Sequence, residues 1–307
     1  MEQTIYDVIV VGCGPAGMTA AIYAARANKR VCIIEKSVFG GQITHSPLVE
    51  NFPGSLAMSG NDFAARMTEQ VMSLDIAVEM GNVTAIIDQG PAKLLETEEG
   101  SSYRGRTVIL ATGAKHRTLG LPGEDELEGN GLYYCAVCDG ALMKGKHVAV
   151  IGGGNSALQE AILLSELGES VTIVQNLPCY TAEMKLREAV EAKPNTSTVF
   201  STLVDGVLLE EGRFAGLRLI HAQTGEKSEL RCGGAFVAIG MAPENEIFGT
   251  VAALDAQGYF ESGEDCTTRT GGVFIAGDCR AKQVRQLTTA VADGAVAALA
   301  ACRFLGF

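Results

Sequence analysis

Cys135-Ala136-Val137-Cys138-Asp139-Gly140 sets two thiols three residues apart, with a carboxylate directly after the second. Sulfurs at that interval, on a turn or a first helical turn, can close a small disulfide or stand open as a dithiol. A thiolate close to a helix N-terminus is acidified enough to attack another disulfide. Asp139 is placed to give or take the proton that such chemistry moves. Other readings of the pair fit less well. Half a zinc site would need two more ligands, and no metal site is expected: no second close cysteine pair occurs, and His147 has no partner at ligand spacing. A structural disulfide sits poorly with seven other cysteines embedded mostly in apolar runs, as reduced core thiols are.

Two strand–turn–helix–strand segments flank the pair. Ile5–Val11 is a continuous apolar run, as a strand buried on both faces requires. It enters Gly12-Cys13-Gly14-Pro15-Ala16-Gly17 and a helical stretch over 18–27; a second strand, 31–34, ends at Glu35, 18 residues past Gly17. In such a setting the glycines let backbone approach a pyrophosphate at the helix N-terminus, and the acid binds ribose hydroxyls. Cys13 reads as a small residue there, not a redox group. The pattern returns 140 residues later in Gly152-Gly153-Gly154-Asn155-Ser156-Ala157, preceded by strand His147–Ile151 and followed by a helix to Leu167. Its second strand, 171–174, ends at Gln175, again 18 residues on. Gly152, Gly154, Asn155, Ser156 and Gln175 are the candidate nucleotide contacts. Two dinucleotide modules with a dithiol between them describe an electron relay.

The remainder is consistent with an α/β chain of about two domains for 307 residues. Loops at 40–42 and 49–54, rich in glycine and proline, suit backbone lying close to a large ligand. An amphipathic helix over 61–73 and strands at 76–79, 83–88, 93–97 and 103–110 lead to Ala111-Thr112-Gly113, which closes the first module. The polar segment 120–131 reads as the inter-domain hinge, 197–238 as short strands and hairpins, and Met241-Ala242-Pro243 as a second crossover. Val273–Ile275 is a buried strand ending in Gly277-Asp278, and a helix starts at Arg285-Gln286, where its N-terminus would suit an electron-rich ring edge. Net charge −12 argues against nucleic acid or an anionic membrane as partner. No signal sequence is expected at the N-terminal strand, and 290–305, with Asp293, Gly294 and Arg303, is shorter than a membrane span. Nine scattered cysteines suit a reducing cytoplasm.

In order and spacing these motifs resemble the low-molecular-weight thioredoxin reductases over nearly the whole chain. The resemblance implies two Rossmann-like domains, the second inserted into the first: an FAD domain from 1–116 and 243–307, and a pyridine-nucleotide domain over 117–242 carrying the dithiol. It implies that Glu35, Gln42, Asn51, Asp278 and Gln286 hold FAD, together with Gly12, Gly14, Pro15, Ala16, Gly17, Gly41, Val83, Thr112, Gly113, Gly277 and Arg285. By the same likeness Cys138 faces the flavin, Cys135 attacks the partner disulfide and Asp139 is the proton donor. It further implies a homodimer acting on thioredoxin or a thioredoxin-like protein, with the smaller domain rotating so that dithiol and nicotinamide take turns at the flavin.

One stretch departs from that family. Members using NADPH carry a histidine and arginines after the second strand, where this chain has Gln175-Asn176-Leu177-Pro178-Cys179-Tyr180-Thr181. No cation appears until Lys185, about two turns past the pocket if a helix begins at Thr181. Each charge-assisted bond lost from a 2′-phosphate costs about 1.5–3 kcal/mol. NADH or NADPH as donor rests on the intact glycine turn, with Lys185 or Arg187 folding back as the route that keeps NADPH. A reduced ferredoxin or deazaflavin is the alternative donor, and a small-molecule dithiol oxidase the alternative activity. A redox-sensing or binding flavoprotein without turnover is the non-catalytic reading. Met241-Ala242 also departs, standing where many relatives have histidine and serine; Cys179 and Cys279 sit at unusual places, Cys279 as a small core thiol next to Asp278.

Overall fold

Val8, Ile9 and Val10 are wholly buried, so Ile5–Val11 is a central strand. In the computed structural model, which describes residues 4–46 and 49–306, it pairs in parallel with Val31–Glu35 and with Ser102–Leu110. Ile76–Met80 continues the sheet in parallel beyond Val31–Glu35. On the other flank the sheet divides. The first half of Ser102–Leu110 pairs antiparallel with Lys93–Thr97, which pairs with Val83–Asp88, while its last three residues pair in parallel with Val273–Ile275. That late strand draws the second end of the chain into the first sheet. Two compact units result: Met1–Lys115 with Ala242–Phe307, and His116–Met241.

The first helix, Pro15–Arg26, starts earlier than the apolar pattern indicates because proline, with φ already fixed, fits the first helical turn. It packs against Leu287–Phe304. The approach is backbone to backbone: a Cβ at Gly294 would stand 2.2 Å from the Ala16 carbonyl oxygen, and one at Gly17 would stand 1.9 Å from that of Gly12. Leu287–Phe304 is long and apolar enough to cross a membrane by composition alone, yet it buries Ala290, Gly294, Ala297, Ala298 and Ala301 in the core of its own unit.

The second unit holds a parallel sheet in the spatial order Thr196–Val199, Ser170–Val174, His147–Ile151, Gly234–Val237, Leu132–Tyr133. An antiparallel sheet of Thr202–Glu210, Arg213–His221 and Lys227–Arg231 adjoins it in sequence. Segment 120–131 is not the hinge its composition indicates. It is anchored inside this unit by Glu124, 4% exposed, whose carboxylate accepts from the N–H groups of Leu119 and Leu121 and from the Tyr134 hydroxyl at 2.6 Å. Burial alone would raise the Glu124 pKa; those donors outweigh it and hold the carboxyl below its usual range. The chain passes between units at 115/116 and 241/242 instead.

Six free cysteines are buried, and only Cys179 is exposed. Burial pushes Cys13, Cys32 and Cys266 up to about 12 and Cys232 to about 11. Thiols whose folded pKa is raised stabilise the fold fully below their unfolded pKa and lose that contribution as pH climbs toward the folded value. Stability should therefore fall from about pH 9 upward, by up to about 1.4 kcal/mol per pH unit for each thiol. Urea denaturation between pH 8 and 11 checks this, and Cys266→Ala should flatten the decline.

Candidate active site

In the first unit Gly12 lies at φ +103°, where a Cβ would stand 2.4 Å from the Ala111 carbonyl oxygen, so the strand-to-helix turn admits only glycine. Gly14 caps the helix with no side chain and no acid follows in the first turn, which leaves backbone N–H groups for an anion. Gly41, φ +58°, comes within 3.3 Å of Gly14 Cα measured from its own ideal Cβ, and so sets Gln42 beside the turn. Glu35 is 7% exposed; one oxygen accepts the Cys13 N–H at 2.6 Å, the other the Ser37 N–H at 2.9 Å. Gly277, φ +85°, lies so close to Ala16 that a Cβ would stand 2.7 Å from the alanine Cβ, which brings Asp278 to the same helix turn. Val83 is buried, and Gly113 takes a left-handed φ of +66° with open space around it. Asn51 Nδ2 donates to Gln286 Oε1 at 3.2 Å. A glycine cradle, an uncapped helix start and a buried carboxylate at the strand end fit a dinucleotide. Arg285 is used differently: its guanidinium donates to the carbonyls of Asp278 and Arg280 and covers the Tyr259 ring at 3.8 Å.

In the second unit Cys135 and Cys138 form a disulfide. Cys135 is the N-cap of the short helix Ala136–Asp139, and its Sγ accepts the Cys138 N–H at 3.1 Å. A thiolate on Cys135 would keep that N–H, which lowers the cost of its charge. Cys135 is 8% exposed, and Cys138 is exposed. Asp139 follows, half-buried; burial first and the Asp139 charge second raise the Tyr133 pKa, so that phenol stays protonated near the carboxylate.

The second glycine turn repeats the first with one substitution of chemistry. A Cβ on Gly152, φ +126°, would stand 2.3 Å from the Ala238 carbonyl oxygen. Gln175, 3% exposed, occupies the register of Glu35, but its Nε2 donates to the Cys179 carbonyl at 3.1 Å. Its side chain covers Gly153, where a Cβ would come within 2.5 Å of the amide carbon. Thr181 and Ala182 do not start a helix; their N–H groups bond to the Gly153 carbonyl at 2.9 and 3.2 Å. The helix is Met184–Glu191, so Lys185 lies in its first turn. Arg187 folds back, its Nε donating to the Ala182 carbonyl at 2.5 Å. Asn155 is paired both ways with Glu183, at 2.9 and 2.8 Å.

Comparison with known proteins shows the family. Residues 6–294 match the family described as pyridine nucleotide-disulphide oxidoreductase. The chain belongs to that family. It is 37% identical to a thioredoxin reductase of Bacillus subtilis over 97% of this chain and 94% of the relative. A thioredoxin reductase structure from Lactococcus lactis superposes with TM-score 0.95 at 35% identity, covering 98% of this chain and 99% of that one. A ferredoxin-flavin thioredoxin reductase from Clostridium acetobutylicum is similar at 28% identity and TM-score 0.53, covering 98% of each chain.

Several residues of this family member escaped sequence reasoning because their partners are distant along the chain. Asn245, fully buried, accepts from Thr112 Oγ1 at 2.9 Å and donates to the carbonyls of Gly258 and Cys279, both at 3.0 Å. Cys279 itself is a buried thiol bonded to the Ala276 carbonyl, the core role expected of it. Glu160, on helix Asn155–Leu167, has a buried Oε2 with no hydrogen-bond partner among the described residues. Burial raises its pKa to about 8. A carboxyl with a raised folded pKa lends stability below its unfolded pKa that disappears as pH rises toward the folded one. Glu160→Gln should match the parent near pH 4 and exceed it increasingly up to pH 8, by on the order of 1 kcal/mol per pH unit. Melting temperatures across that range check this; a gain independent of pH would contradict it.

Proposed function

We propose that this chain is an FAD enzyme that reduces the disulfide of thioredoxin or a thioredoxin-like protein through Cys135 and Cys138, as a homodimer in the reducing cytoplasm. The observation carrying this reading is the Cys135–Cys138 disulfide closed across a helix start, with Asp139 next in the chain. The glycine turn at Gly12, Gly14 and Gly17, with Glu35, Gln42, Asn51, Asp278 and Gln286, would hold FAD, which supplies a two-electron carrier when bound. In the dithiol form the Cys135 thiolate attacks one sulfur of the partner disulfide, forming a mixed disulfide and releasing a partner thiolate. Cys138, deprotonated, then attacks Cys135 Sγ, closing the Cys135–Cys138 bond and releasing the second partner thiolate. Asp139 moves the protons that these thiols give up and the leaving thiolates take. Two electrons and two protons reopen the pair.

Cys138→Ser should abolish turnover, keep FAD bound and accumulate a Cys135–thioredoxin mixed disulfide, whereas Cys135→Ser should accumulate none. Normal thioredoxin reduction by Cys138→Ser would overturn the scheme.

For the donor, an intact second glycine turn supports a nicotinamide nucleotide, and the neutral Gln175 supports weak discrimination between NADH and NADPH. Arg187, folded onto the loop that covers the turn, is the cation available to a 2′-phosphate. A second reading, reduced ferredoxin as donor, is favoured by Gln175 and Asn155 having their side chains already engaged. Anaerobic titration with NADH, NADPH and reduced ferredoxin, followed by flavin bleaching, separates the two. Nicotinamide donation predicts bleaching by both nucleotides within about tenfold of one another, and Arg187→Ala should remove whatever preference for NADPH exists. Bleaching by ferredoxin alone would select the second reading.

A further inference from the structure

Beside Asp278 lies a buried ion cluster to which the sulfur chemistry assigns no task. The side chains of Arg280, Lys282 and Asp293 are 12%, 8% and 10% exposed. Asp293, on the last helix, accepts Arg280 Nη2 through Oδ1 at 2.9 Å. Its Oδ2 accepts Lys282 Nζ at 3.0 Å, the Gly277 N–H at 3.2 Å and Arg280 Nε at 3.3 Å. The Arg280 guanidinium therefore already neutralises Asp293 in bidentate fashion. A second buried cation is superfluous for that purpose, and burying an ammonium is costly unless its partners are well placed. Lys282 has a contact that Arg280 lacks. Its Nζ donates to Thr289 Oγ1 at 3.3 Å and stands 3.1 Å from Asp278 Oδ1 as an ion pair. Asp278 Oδ1 is buried and accepts no hydrogen bond among the described residues, so the ammonium holds it as an ion pair, while the Asp278 side chain as a whole is 38% exposed.

We propose that Lys282 is a positioning residue of the flavin site: its buried ammonium fixes Asp278 through Oδ1 and leaves the other carboxylate oxygen to the cofactor. Through Asp293 the same ammonium ties the Gly277-Asp278 turn to helix Leu287–Phe304, so the carboxylate is oriented before FAD arrives. This rests on the reading of Asp278 as an FAD ligand.

FAD release from holoenzyme, followed as the rise of free-flavin fluorescence after dilution, tests it together with the FAD-to-protein ratio after gel filtration. Lys282→Met should release FAD about tenfold faster, the factor expected on losing one charge-assisted contact, and Lys282→Arg should recover most of the loss. Asp278→Asn should also release faster. The double variant Lys282→Met/Asp278→Asn should be no faster than Asp278→Asn alone, because the lysine acts through that carboxylate. A merely structural lysine would add its effect to that of Asp278→Asn, and this additivity would overturn the proposal. Lys282→Met at the parent rate beside a fast Asp278→Asn would also overturn it, while leaving Asp278 as an FAD ligand. Asp278→Asn at the parent rate would remove the reading on which the proposal stands, and the proposal with it. If Lys282→Met does not accumulate, Lys282→Gln carries the same comparison.

Discussion

Three glycines from three regions of the chain converge on the first turn of helix Pro15–Arg26. Gly17 has the Gly12 carbonyl where its Cβ would be, Gly294 has that of Ala16, and Gly277 has the Ala16 methyl. No side chain can enter these contacts, so strand, helix and the late Gly-Asp turn meet at backbone distance. The arrangement of Glu35, Gly41-Gln42 and Asp278 around one uncapped helix start follows from that closeness. The second unit builds its turn under the same restriction at Gly152, but finishes the neighbouring strand with an amide in place of a carboxylate. Glu35 takes a hydrogen bond from the turn that it serves; Gln175 donates to its own following loop.

The buried cysteines and the pair at 135 and 138 sit in different electrostatic surroundings, with Cys179 exposed apart from both. Those of the core lie in apolar surroundings that suppress the thiolate, the form in which sulfur reacts. Cys135 sits where a backbone N–H points at its sulfur. Among nine cysteines the pair at 135 and 138 is thus set apart from the six buried thiols, without any need to keep thiols out of the interior.

The parts legible in the sequence were those fixed by short-range rules. Continuous β-branched runs marked Ile5–Val11 and His147–Ile151, glycine spacing marked both turns, and the two-residue gap marked the dithiol. The failures share one cause. Segment 120–131 has the composition of a linker, but Glu124 is secured by Tyr134, ten residues away, a partner no local pattern reveals. Thr181 and Ala182 look able to begin a helix, yet their N–H groups go to Gly153, nearly thirty residues earlier in the chain. Asn245 and the Lys282–Asp293 cluster likewise depend on pairings across the unit, and their residue types alone suggest only surface polarity.

Val273–Ile275 lies beside Ser102–Leu110, with more than a hundred and fifty residues between them in sequence. A ribosome delivers the whole inserted unit before it delivers this strand. His116–Met241 therefore has all its own strands available during translation, while the sheet around Ile5–Val11 must wait with one flank open. Residues 273–278 then add the missing strand and the Asp278 turn in a single stroke, so the sheet of the larger unit is completed late in synthesis.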